Sequence, residues 1–314
     1  MRSRLADPVS IPVRSERRDR PHKRYRTERR ILLLCIFPAL FAVLALQFYP
    51  LLETAVLSFQ RWSLLESQAP LGFDGFANYS RILGDPIFWS AARVSVTITG
   101  VSVALQLILG TAIAYMLRTP SVIQRIARTL LILPMVIAPV AAGNTWRLML
   151  DSSSGPINYA LSWIGITGPD WLADPHWAVV SLILVDTWQW TPFVMLIVGA
   201  GMLAIPGELR EAARVDGANR WQTFIRIELP LLTTVLLLVA TFRILDSLLS
   251  LDTVYSLTLG GPGYSTYTLT YYLYSLGLRT FAFGDASAGS WLFMVLVAAI
   301  IILMFRLNRR SVRE

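Results

Sequence analysis

Long apolar stretches dominate the pattern of hydrophobic and polar positions along the chain. A bilayer core of about 30 Å requires about 20 mostly apolar helical residues to cross it. Stretches of that length lie at roughly 31–52, 94–117, 126–149, 177–203, 229–251 and 287–306. Each is too long for a buried strand. The pattern therefore predicts an all-α, polytopic integral membrane protein with six transmembrane helices.

The polar segments between these stretches differ in their content of Lys and Arg. Residues 1–30 contain eleven, and the segments 118–128 and 204–228 contain three and four, whereas 150–176 contains none. Positive residues concentrate on the cytoplasmic side of membrane proteins. We therefore expect both termini in the cytoplasm, which agrees with an even number of spans.

Composition supports a membrane protein and excludes other classes. Hydrophobic residues make up 54% of the 314 residues and charged residues only 15%, against roughly a quarter in soluble domains. A soluble enzyme and a disordered chain are both poorly compatible with these values. We divide the chain into a basic N-terminal tail over 1–30, a six-span domain over 31–306 and a C-terminal tail over 307–314.

Motifs for independent chemistry are missing. Lys23 is the one lysine and has no phosphate-binding loop around it, so the chain has no ATPase site of its own. His22, His176 and Cys35 are too dispersed for a zinc site. We expect no catalytic residues, no metal and no cofactor on this chain. The net charge of +8 comes from Lys and Arg in the segments assigned to the cytoplasmic side. Nucleic acid is therefore not an expected partner.

The segment 204–228 is the most informative connecting loop. Pro206 suits a helix start, and Gly217 suits the glycine that ends that helix. A second short helix is predicted from about Asn219 to Glu228. Helical spacing places small residues on one face, which favours docking against another protein over an amphipathic helix lying on lipid. That face comprises Leu209, Ala212, Ala213 and Asp216.

The same loop matches the pattern E-A-A-x3-G-x9-I-x-L-P at every defined position. The matching residues are Glu211, Ala212, Ala213, Gly217, Ile227, Leu229 and Pro230, and Asp216 fits a wider form of the motif. The pattern resembles the signature loop of the membrane subunits of binding-protein-dependent ABC importers. The resemblance implies that these eight residues form a coupling helix and loop that dock in a groove of an ATPase subunit.

A wider similarity, over roughly 30–306, is to the maltose-type and glycerol-3-phosphate-type sugar permeases. It includes the stretches 186–193 and 252–262, but the chain has no large inserted external domain. The resemblance implies an ABC type I importer permease fold in the bacterial inner membrane. It also implies a heterodimer with a second permease subunit, two ATP-binding subunits that hold ATP and Mg, an extracytoplasmic solute-binding protein and a sugar substrate.

Polar stripes on the fourth and fifth spans are candidate substrate contacts. Ionisable groups inside spans cost roughly 2.5–3.5 kcal/mol each, so they usually face a cavity or the bundle interior. Carboxylate, amide, hydroxyl and aromatic groups are those that bind a polyhydroxylated ligand. The candidates are Asp186, Gln189, Trp190, Phe193, Asp246, Ser247 and Ser250. Alternatively, Arg243 and Asp246 pair with each other or across the heterodimer and serve structure only.

The sequence thus predicts a permease subunit that moves a sugar or polyol, such as a di- or oligosaccharide, by ATP-driven alternating access. The alternatives within the class are glycerol-3-phosphate or a polyamine as the solute. A secondary transporter would show inverted repeats, and a membrane enzyme would need a nucleophile and a base; neither feature is evident.

Overall fold

The structure is a computed structural model that describes residues 21–119 and 121–311, with side chains described between positions 36 and 306. The regular elements among the described residues are helices, with no strand beyond one isolated bridge between Gln60 and Phe73. The first twenty residues of the predicted basic tail and the last three of the C-terminal tail lie outside the described residues. Residues 54–314 form one compact unit, and residues up to Glu53 belong to another.

Four helices are long. They are α1 (Pro21–Leu57), α3 (Pro86–Met116), α7 (Pro175–Ala204) and α14 (Phe283–Ser311). The shorter helices before α7 are α2 (Ala77–Gly84), α4 (Val122–Val136), α5 (Pro139–Met149) and α6 (Pro156–Trp163). Those after it are α8 (Gly207–Val215), α9 (Arg220–Thr223), α10 (Leu229–Leu231), α11 (Thr233–Leu249), α12 (Asp252–Leu257) and α13 (Leu269–Leu278), with a π-helical turn at Phe224–Glu228.

Among the described residues, the four long helices are apolar enough to cross a membrane, and two bent pairs raise the number of candidate spans to as many as six. The predicted span 126–149 covers most of α4 and all of α5, which meet at 97°, and the predicted span 229–251 overlaps the helix pair Arg220–Leu231 and Thr233–Leu249, which is bent by 64°. The first bend has a clear local cause. Pro139 begins α5, and the residue before a proline avoids helical geometry. Accordingly, Ala138 is extended, with ψ of 134°.

Helices α3 and α7 pack along each other at the centre of the 54–314 unit. Gly110 of α3 permits this close approach, since a Cβ there would lie 2.7 Å from the Cβ of Val194 on α7. Val194, Val198 and Met202 of α7 continue as an apolar core that reaches Phe224 and Leu232. The loop after α7 is thereby packed against the bundle.

The segment 58–85 packs against the end of the unit where α14 begins. Asn78 donates to the carbonyls of Ser58 and Gln60 at 2.7 and 3.0 Å. Arg81 pairs with Asp285 at the beginning of α14 at 3.0 Å. The segment is thus fixed to the helices beneath it.

Candidate functional site

The loop between α7 and α11 begins with the short helix α8. Pro206 is its N-cap, one position before the helical residues. At the other end Gly217 adopts φ of +80°. Its N–H donates to the carbonyl of Arg214 at 3.1 Å, and the N–H of Ala218 donates to Ala213 at 2.9 Å. These two bonds form a Schellman motif, in which glycine is favoured at the left-handed position.

The predicted coupling residues on and just after helix α8 differ in solvent exposure. Glu211, Ala212, Asp216 and Gly217 are exposed, whereas Ala213 is buried. The two alanines therefore do not form one docking face. Ala213 seats α8 on the bundle, and the face carrying Ala212 remains open.

The second half of the loop forms the predicted helix, but in an altered geometry. Asn219 and Gln222 make a capping box at its start. The helix widens at Phe224–Glu228, where the N–H of Leu229 donates to the carbonyl of Phe224. The widened turn immediately precedes Pro230, which has no N–H to donate. Ile227 and Leu229 are half-buried and Pro230 is exposed.

A charged cluster ties this loop to the bundle, and we call Glu228, Arg118 and Arg210 the Glu228 cluster. The Glu228 carboxylate has a side-chain exposure of 1% and pairs with Arg210 at 2.6 Å and with Arg118 at 3.2 Å. Arg210 also donates to the carbonyl of Met202 at 2.8 Å. The cluster joins the end of α3, the end of α7, helix α8 and the entry to α11. This role was not predicted from the sequence, although Glu228 occupies the variable position of the I-x-L-P motif.

A second cluster lies midway along the bundle, and we call Arg243, Asp186, Gln106 and Asp246 the Arg243 cluster. Arg243 is almost completely buried. Its guanidinium lies 3.2 Å from the carboxylate of Asp186, donates to the amide oxygen of Gln106 at 2.9 Å and pairs with Asp246. Gln106 in turn donates to Asp186 at 2.8 Å. Gln106 was not predicted as a site residue, although its polar side chain within the apolar helix α3 was a signal that could have identified it.

The two aromatic residues of the predicted stripe, Trp190 and Phe193, lie on one side of this cluster. The Arg243 guanidinium lies 4.6 Å from the ring centroid of Trp190, which is within cation–π range. Phe193 meets the edge of Trp190 at 6.4 Å. Gln189 is directed elsewhere, because its amide donates to the carbonyl of Ile137 between α4 and α5 at 2.9 Å. The residues of the α7 stripe therefore do not share one site: Trp190 lies beside Arg243, whereas Gln189 contacts the link between α4 and α5.

The hydroxyls of the fifth-span stripe lie beside the cluster. Ser247 is hydrogen-bonded to Thr99 of α3 at 3.1 Å. Ser247, Ser250 and Asp186 line a cavity of about 20 Å³ with further hydroxyls from Ser95 and Thr99. That volume holds about one water molecule. Asp246 differs from its neighbours, since 54% of its side chain is exposed.

Within the described part of the chain, no group of three His, Cys, Asp or Glu side chains is placed to hold a metal ion. The polar chemistry there consists of ion pairs, hydroxyls and aromatic faces. Such groups bind and orient a ligand or a partner.

Comparison with known proteins defines the class. Residues 81–314 match the family of binding-protein-dependent transport system inner membrane components. The chain is 35% identical over 289 residues to the trehalose/maltose transport system permease protein MalF of Thermococcus litoralis, covering 91% of this chain and 96% of that one. It is 33% identical over 280 residues to the lactose transport system permease protein LacF of Rhizobium radiobacter, covering 87% and 92%.

Among solved structures, a chain of a bacterial ABC transporter that imports the acidic polysaccharide alginate has the same fold. The TM-score is 0.81 at 22% identity, covering 93% of this chain and 99% of the other. The chain belongs to the binding-protein-dependent transport system inner membrane components. It is a multi-pass inner-membrane subunit with the ABC type I importer permease fold, and it is a transport component rather than an enzyme. The predicted all-α, polytopic permease fold and the family are confirmed, whereas the cytoplasmic orientation of both termini stays a prediction.

Proposed function

We propose that this chain carries a sugar or a related polyol, such as a di- or oligosaccharide, into the cytoplasm. Transport proceeds by alternating access driven by ATP hydrolysis in partner subunits. The Arg243 cluster carries the proposal, because it places a half-exposed carboxylate and an aromatic ring beside hydroxyls within an apolar bundle. The names of the trehalose/maltose and lactose permeases support a sugar as the solute.

The proposed assembly has a second permease subunit, two ATP-binding subunits that hold ATP and Mg, and an extracytoplasmic solute-binding protein. Both termini and the loop 204–228 face the cytoplasm in this arrangement. The distribution of Lys and Arg supports that orientation.

The proposed contact with the ATPase uses the open face of α8 and the turn that follows it. Glu211, Ala212, Asp216 and Gly217 are the exposed members of that surface. The remaining motif residues, Ala213, Ile227, Leu229 and Pro230, hold the loop against the bundle or continue into α11. The Glu228 cluster then transmits movement of α8 to α3 and α11.

The proposed sugar contacts are Asp246, Trp190 and the hydroxyls of Ser247 and Ser250. Asp186 supports Arg243 from behind and Phe193 packs against Trp190, whereas Gln189 is bonded to the carbonyl of Ile137 and lies away from these contacts. A phosphorylated solute such as glycerol-3-phosphate fits less well, because the cluster holds two carboxylates and a single buried guanidinium. A polyamine remains the alternative that this charge balance favours.

The test measures uptake of labelled trehalose, maltose, lactose, glycerol-3-phosphate and spermidine in cells with and without this chain. A strain with Gly217→Arg is run in parallel. We expect loss of one sugar in the deletion strain and in the Gly217→Arg strain, because the arginine side chain projects from the docking surface.

Gly217→Ala is the matched control. It carries the same left-handed backbone strain as the arginine variant, and a Cβ there meets no atom within 4 Å. We expect Gly217→Ala to retain most uptake, with equal amounts of both variants in the membrane. Full uptake with Gly217→Arg would contradict the docking role, and loss of spermidine uptake alone would replace the sugar by a polyamine.

A further inference from the structure

A cavity of about 350 Å³ lies where the ends of α3 and α7 meet α4, α8 and α9. Half of the ten residues that line it are arginines, and they come from four different segments of the chain. They are Arg118, Arg128, Arg210, Arg214 and Arg220. The volume is far above the roughly 10–15 Å³ that one water requires. There is room for a hydrated anionic group among the guanidinium groups.

The arginines outnumber the acids available to them. No acidic residue lines the cavity within the described part of the chain. Glu228, buried behind the wall, pairs with Arg118 and Arg210. Arg128 donates to the carbonyl of Leu117 at 2.9 Å, which leaves its charge uncompensated. An excess of positive charge in a partly enclosed space attracts an anion.

The surroundings of the cavity are apolar on one side. Leu203, which lines it, is 76% exposed. On α4, which carries Arg128, Ile126 and Leu130 are 56% and 60% exposed. A ligand that fits both environments has an anionic head and a hydrocarbon tail.

We propose that this cavity binds the phosphate headgroup of an anionic phospholipid, with the acyl chains lying along α4. Arginine is well suited to this role, because its planar guanidinium donates two parallel hydrogen bonds to phosphate oxygens. Basic pockets between membrane helices bind phospholipid headgroups in this way. The site lies beside α8, so a bound lipid fixes the position of that helix relative to α3 and α4. The proposal does not depend on which solute the importer carries.

The test uses the purified importer that contains this chain, depleted of lipid in detergent and titrated with phosphatidylglycerol. Native mass spectrometry counts the bound lipids and gives their affinity. We expect phosphatidylglycerol to bind and phosphatidylcholine to bind far more weakly. In the Arg214→Gln/Arg220→Gln variant, which spares both partners of Glu228, we expect affinity to fall by about fivefold for each arginine removed.

Arg125→Gln/Arg226→Gln is the control, since it removes the same charge from exposed positions that do not line the cavity. We expect its affinity for phosphatidylglycerol to stay within about twofold of the unmodified protein. An equal loss in both variants would overturn the site. Displacement of the lipid by inorganic phosphate at equal concentration would assign the cavity to a soluble anion instead. If the Arg214→Gln/Arg220→Gln variant bound lipid normally but lost the ATPase subunits on purification, the arginines would be assigned to protein docking.

Discussion

The Arg243 cluster and the Glu228 cluster have opposite compositions. The first places one guanidinium between two carboxylates, and the second places one carboxylate between two guanidinium groups. In both, the single charge is the buried one: the exposed fraction of the side chain is 2% for Arg243 and 1% for Glu228. The duplicated charges are more exposed, reaching 54% for Asp246 and 29% for Arg118.

This arrangement leaves each cluster with an excess charge toward its surface. The excess is negative midway along the bundle and positive at the end that carries α8. A buried ion needs a well-placed counter-ion, because removing the ion from water costs several kcal/mol that only close ion pairing and hydrogen bonding offset. In the Arg243 cluster the second partner, Asp246, is the more exposed one, whereas Arg118 and Arg210 of the Glu228 cluster are exposed to similar extents, 29% and 28%. We propose that these exposed charges are the ones that a ligand or a neighbouring subunit reaches.

Replacing the buried cation should have the largest effect. Arg243→Gln leaves Asp186 in the bundle without a counter-ion, and we expect a loss of about 3–5 kcal/mol in stability. Thermal unfolding of the purified importer measures this as a large fall in Tm. The Arg243→Gln/Asp186→Asn variant should recover much of the loss, since neither charge then remains unpaired. No recovery in the double variant would contradict the pairing.

Replacing the buried carboxylate should have an intermediate effect. Glu228→Gln leaves Arg118 and Arg210 unpaired, but water reaches both, so we expect a loss of about 1.5–3 kcal/mol. Uptake should fall more than the amount of protein does, because Arg210 then holds α8 less firmly. Tm and uptake are measured with Glu208→Gln, an exposed carboxylate on α8, as the control. Equal effects of the two variants would remove the special role of Glu228.

Replacing the exposed carboxylate should affect stability least. Asp246→Asn leaves Arg243 paired with Asp186, and exposed ion pairs contribute about 0–1 kcal/mol. If Asp246 binds the sugar, KM for uptake rises by about tenfold or more, because a charged hydrogen bond is lost. Solute titration of the uptake rate measures this while Tm stays close to that of the unmodified protein. An unchanged KM would place Asp246 with the structural residues.

The sequence was most informative where its signal is local. Helix α8 ends at Val215, with Gly217 at the C′ position where its glycine predicts the stop, and Asn219 caps the second helix of the loop through a capping box. Both signals involve residues only a few positions apart. The bends at 97° and 64° within two predicted spans were not predicted, although Pro139 gives the first of them a local cause. Hydropathy counts residues and does not register a change of direction.

Only some residues of the candidate site could be predicted from the sequence, because spacing along the chain does not give the neighbours of a helix face. Asp186, Trp190 and Asp246 stand out as polar or aromatic residues in apolar stretches, and the structure brings them to Arg243. Gln189 shares their helical spacing but turns to the carbonyl of Ile137. Spacing defines a face of one helix, whereas the neighbours of that face come from α3, α4 and α11.

The sequence by itself determined the class of this protein, because hydropathy, the distribution of Lys and Arg and the motif from Glu211 to Pro230 are properties of order along the chain. Only the tertiary structure decided which charges are paired and which remain available. Arg243 and Asp186 are 57 residues apart, and Arg118 and Glu228 are 110 apart. Whether such groups meet depends on how helices pack, and their burial then determines which of them a ligand can reach.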